Sequence, residues 1–134
     1  MIRKKLFVLF FIAGFALMSM TPADEVMTKE GNTYIVNTTM LCDKKGFRDK
    51  TPLLVYIKGD KIIKVEALKN RESPSYFNKV KKALLPLYEN MKIGKAIRQT
   101  DEEHIDGCTG ATYSSLSVQA NIRAALEYYN KVRH

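Results

Sequence analysis

Tryptophan is absent from this 134-residue chain, and cysteine, proline and glycine number only 2, 4 and 7. Cys42 and Cys108 are too few and too far apart for a metal site of the CxxC type, and no haem-attachment pattern surrounds them. No internal repeat or low-complexity tract is present, no GxGxxG, no nucleophile paired with a base, and no pair of carboxylates set for general acid–base work. His104 stands alone beside the acidic run Asp101-Glu102-Glu103 and reads as solvated. Long apolar runs are missing too, apart from Leu6 to Met20, which is shorter than the ~20 residues a bilayer span needs.

That one run follows Met1-Ile2-Arg3-Lys4-Lys5 and precedes Thr21-Pro22-Ala23-Asp24. A basic head, an apolar middle and small residues at the exit predict an export signal over residues 1–23, cleaved near Ala23. An uncleaved membrane anchor is the alternative, and no cysteine follows the run to carry a lipid. Either way the remainder, residues 24–134, is expected outside the cytoplasm, periplasmic or at the cell surface, as one domain large enough for a single core. The leader holds three basic residues and no acidic ones, so the net charge of +8 falls to +5 without it. The remaining lysines are scattered rather than interleaved with stacking aromatics, which argues against a nucleic-acid module. In an exported chain the two cysteines can pair with each other or stay as buried thiols.

Hydrophobic periodicity orders the rest. Thr33 to Leu41 is rich in β-branched and aromatic residues and predicts a strand. Leu53–Ile57 and Lys61–Leu68 flank Lys58-Gly59-Asp60 and predict an antiparallel hairpin, with Ile63, Val65 and Ala67 toward a core. The charged stretch Cys42 to Pro52 reads as a connection. Ser75 to Leu85 predicts a helix with Tyr76, Phe77, Val80, Ala83 and Leu84 on one stripe, ending or kinking near Pro86. Leu87 to Ile105 is mixed. A last helix over about Ser115 to Val132 repeats Val118, Ile122, Ala125, Leu126 and Tyr129 on one face. The fold expected is α+β, a small, mainly antiparallel sheet with two principal helices packed on it.

The strongest functional signal is Asp106-Gly107-Cys108-Thr109-Gly110-Ala111-Thr112-Tyr113-Ser114-Ser115. Glycine and alanine strip bulk from a turn, hydroxyls line it, and an amphipathic run follows. The first turn of a helix offers free N–H groups and a positive dipole end, a place for phosphate. A Gly-rich turn with Ser/Thr capping the helix is the plain alternative. Asp106-x-x-Thr109-Gly110-Ala111-Thr112 resembles the flavinylation motif of the FMN-binding domain family, which includes the C subunit of the sodium-pumping NADH:quinone oxidoreductase and the G subunit of the Rnf complex. Glu72-Ser73-Pro74 resembles the family's Glu-Thr-Pro segment, and Ser75-Tyr76-Phe77 stands where Gly-Leu-Gly often follows.

The resemblance implies FMN moved from FAD by a flavin transferase onto the hydroxyl of Thr112 as a phosphoester. Asp106 would help present the loop, Thr109, Gly110 and Ala111 would form the turn, and Tyr113, Ser114 and Ser115 would stand beside the cofactor. It implies an electron carrier working with a membrane or extracytoplasmic redox partner. A small flavin-dependent reductase and a flavin-free secreted binding module are the competing functions. Tyr76 and Phe77 read either as cover for the flavin ring or as core.

Overall fold

The structure is a computed structural model and describes residues 26–101 and 112–133. The leader, Asp24 and Ala23 among its boundary residues, lies outside the described residues, as do His104, Asp106, Cys108, Thr109, Gly110 and Ala111. Four strands run β1 Met27–Glu30, β2 Thr33–Asn37, β3 Leu53–Lys58 and β4 Lys61–Ala67, paired antiparallel in chain order as one sheet. Helices α1 Pro74–Ala83, α2 Leu85–Tyr88, α3 Ile93–Gln99 and α4 Thr112–Val132 follow. The α+β expectation stands, and α1 and α4 are the two longest helices among the described residues.

One face of the sheet carries the core. Alternate residues Leu53, Val55 and Ile57 are fully buried, Val36 sits beside them on β2, and α4 lays Val118, Ile122, Ala125, Leu126 and Tyr129 on them. Each of the valine, leucine and isoleucine side chains removed from water contributes about 1.5–3 kcal/mol. The β3–β4 turn is tight because Gly59 and Asp60 both hold φ of 60°, the two left-handed positions that a two-residue hairpin loop demands. Asp60 also accepts a hydrogen bond from the Tyr129 hydroxyl at 3.1 Å and pairs with Arg133, so the turn is fastened to the C-terminal end of α4. The outer edge of β4 is covered by the segment after α2, through Asn90 N–H to Ile62 O at 2.7 Å and Ile62 N–H to Met91 O at 3.0 Å. That covering leaves less open edge for another chain to pair with.

Three local expectations need correction. The strand from Thr33 stops at Asn37 because the Asn37 side chain accepts from the Thr39 N–H at 2.9 Å and starts a single 3₁₀ turn, Thr38–Met40. On β4 the inward residues are Ile62 and Val65, while Ile63 is 40 % exposed. The cause is a bulge: Tyr56 pairs with Lys64 and Ile57 with Ile62, so Ile63 is the extra residue and the alternation slips by one. On α1 and at its C-cap, Phe77, Val80 and Leu84 are buried, but Tyr76 is 43 % exposed, with the Lys79 ammonium 5.8 Å from its ring centre. Spacing of three and four residues selects the narrower stripe, and Tyr76 falls beside it.

The bulge makes a direct prediction. Ile62→Ala should cost about 2–5 kcal/mol, as deletions from closed cores do, whereas Ile63→Ala should stay within about 1 kcal/mol. Urea unfolding of the two variants checks this, and equal losses would contradict the register.

Candidate functional site

The start of α4 is held by its polar face. Ser114, Ser117 and Asn121 fall on one stripe at helical spacing and are all buried. The Ser117 hydroxyl donates to Lys44 O at 2.8 Å and so receives the Thr51 hydroxyl at 2.7 Å. Asn121 accepts from the Thr38 hydroxyl at 2.5 Å, and Thr38 in turn accepts from the Leu53 N–H at 2.9 Å. The charged stretch from Cys42 to Pro52 is therefore no slack connection, because these bonds bind it along the helix.

Glu72 fastens the same stretch at the helix start. The residue is 6 % exposed, and its carboxylate accepts from the backbone N–H groups of Phe47 and Arg48, both at 2.7 Å, and of Asp49 at 3.0 Å. The Ser114 hydroxyl is its fourth donor. Two donors on each oxygen suit an ionised carboxylate, which only accepts. Close packing completes the joint: a Cβ placed on Gly46 would run into Glu72 Oε1 and lie 3.1 Å from Ser114 Cα. Glycine is needed here for close approach, not for an unusual φ.

Burial pulls the Glu72 carboxyl upward, but the Ser114 hydroxyl and the three backbone N–H groups outweigh it and hold the group below its ordinary value of 4.5. A lowered pKa gives stability that is fully present above the unfolded value and is lost as pH falls through the folded one. The joint should therefore hold at neutral pH and weaken progressively as pH falls below the ordinary carboxyl value of 4.5. The measurement is stability against pH for the wild type and Glu72→Gln: their difference should be constant near neutrality and shrink in acid, and a difference unchanged down to pH 3 would contradict the assignment.

The hydroxyls of the first turn of α4 are not equivalent. Thr112 and Tyr113 are exposed, whereas Ser114 and Ser115 are 1 % and 3 % exposed. Thr112 is the first residue of a 21-residue helix, so its hydroxyl stands outside the body at the positive end of the dipole. The structure thus brings Thr112, Tyr113, Ser114 and Ser115 together with Gly46, Phe47 and Glu72. Phe77 is core. Cys42 is half-buried, and its suggested partner Cys108 is among the residues not described.

Two of these contributors escape a reading of the sequence. Gly46 and Phe47 sit in a stretch whose charges point to solvent, and the only cue is a glycine-aromatic pair inside it. Glu72 was visible only as part of a resemblance, since no spacing rule shows that a carboxylate 42 positions from Ser114 will cap its hydroxyl.

These parts suit a phosphate-bearing flavin. An outward hydroxyl at a helix N-terminus is chemically suited to a phosphate group, and exposed aromatic rings are suited to a flat apolar one. The model of the FMN-binding domain family matches residues 46–127, a span that includes Gly46, Phe47, Glu72 and the first turn of α4. The chain belongs to the FMN-binding domain family. Neither the curated proteins nor the solved structures contain a match to it.

Proposed function

We propose that this protein is an exported electron-transfer flavoprotein that carries FMN as a phosphoester on Thr112. The observation that carries the reading is the contrast in the first turn of α4, where Thr112 is exposed while Ser114 and Ser115 are buried. A flavin transferase working from outside reaches the first hydroxyl and not the other two. In the transfer, the Thr112 oxygen gives up its proton and takes the FMN phosphoryl group of FAD, whose phosphoanhydride bond breaks to release AMP.

By the motif's resemblance, Asp106 would help present the acceptor threonine, Thr109, Gly110 and Ala111 would admit the transferase, and the first amides of α4 would serve the phosphate. Tyr113 would stand beside the cofactor, while Ser114, bonded to Glu72, holds the turn from beneath with Ser115 buried next to it. The attached flavin supplies one- and two-electron transfer. What remains for the chain is to hold the cofactor, limit solvent around it and offer it to a membrane or extracytoplasmic partner. Support for export comes from the basic and apolar leader, and covalent attachment suits that location because an attached cofactor cannot diffuse away. Among the described residues no helix is long and apolar enough to cross a membrane.

Co-expression with a flavin transferase tests the reading. Flavin absorbance should survive acid precipitation of the protein, and the product should show little steady turnover with soluble acceptors. Colourless precipitated protein would favour the flavin-free binding module, and rapid turnover would favour the reductase.

A further inference from the structure

Seven large hydrophobic side chains are exposed among the described residues, and Phe47 and Tyr113 are the two most exposed aromatics of that set, at 66 % and 64 %. They come from stretches separated by more than half the domain. Yet Gly46 packs on the Ser114 backbone, with 3.1 Å from its would-be Cβ to Ser114 Cα, and Phe47 N–H shares Glu72 Oε1 with the Ser114 hydroxyl. The residue after Gly46 and the residue before Ser114 are thus fixed on either side of one joint, and both turn their rings to solvent. An aromatic ring left in water at such a rigid place lacks the apolar partner that rings favour. The neighbouring Thr112 hydroxyl supplies the position from which such a partner would hang.

We propose that Phe47 and Tyr113 form a platform on which the isoalloxazine ring docks, Phe47 covering it from the Glu72-held stretch and Tyr113 from the helix start. This rests on Thr112 attachment, and it assigns to Phe47 a cofactor contact supplied from a distant part of the chain. A phosphoester alone fixes the cofactor at one end. The platform holds the ring, shields one face from water and thereby sets how far solvent reaches the redox centre.

The test uses the full chain flavinylated by co-expression with a transferase, with intact mass and iodide quenching of flavin fluorescence as separate readouts. Phe47→Ala and Tyr113→Ala should keep the covalent mass, because neither touches the acceptor hydroxyl. Each should lower the ratio of docked to free ring by about threefold or more, read as stronger quenching. Phe47→Tyr should restore protection, and Leu87→Ala, an exposed apolar residue on α2, should quench like the wild type. Wild-type quenching in both alanine variants with the adduct present would overturn the platform and leave the attachment standing. A wild-type chain that never gains the adduct would overturn both.

Discussion

Glu72→Ala should destabilise the domain by about 3–5 kcal/mol, because four donors lose their acceptor together and a hydrogen bond to a charged group is worth about 1.5–3 kcal/mol. The Phe47, Arg48 and Asp49 amides and the Ser114 hydroxyl all point at one carboxylate, so no neighbouring group replaces it. A loss of that size is a large part of the roughly 5–15 kcal/mol that holds a domain together. Glu72→Gln separates charge from shape. Its amide keeps one oxygen but turns an NH₂ group toward two donors, so at least about 2 kcal/mol should still be lost. Gly46→Ala attacks the same joint from the other side, since its methyl group would occupy the space of Glu72 Oε1. Urea unfolding of the flavin-free chain measures all three. A Glu72→Ala change below about 1 kcal/mol would show that water serves these donors as well as the carboxylate does.

Thr112→Ala should abolish covalent flavin and leave the fold intact. The side chain is exposed at the first position of α4, so its loss removes a nucleophile and no core volume. The stability change should be within about 1 kcal/mol, in contrast to Glu72→Ala. Thr112→Val keeps the shape without the hydroxyl and should also lose the adduct. Ser114→Ala is the informative partner: it removes a Glu72 donor and should weaken the joint, yet retain covalent FMN. An adduct surviving in Thr112→Ala would place the attachment elsewhere.

Much of the fold was legible because its causes are local. Gly59-Asp60 specified a hairpin turn, and Val118, Ile122, Ala125, Leu126 and Tyr129 specified the buried face of α4. What was not legible depended on registry and distant partners. Ile63 reads as an inward residue until the bulge opposite Tyr56 is known. Asn37 ends a strand by bonding to its own neighbour, a competition that β propensity does not capture. β1 and α3 were not foreseen, the first being a short edge strand and the second a seven-residue helix in a mixed stretch. For the site, the motif pointed to Thr112 from sequence alone. The joint of Gly46, Glu72 and Ser114 needed the three-dimensional structure, because its members come from three separate stretches of chain.

The most direct test of the central claim is intact-mass analysis with peptide mapping of the wild-type chain produced beside a flavin transferase. The expected result is a single adduct of one FMN less one water, on the peptide containing Thr112 and on its hydroxyl oxygen. An unmodified chain under conditions where the transferase is active, or an adduct located at Ser114 or Ser115, would contradict it.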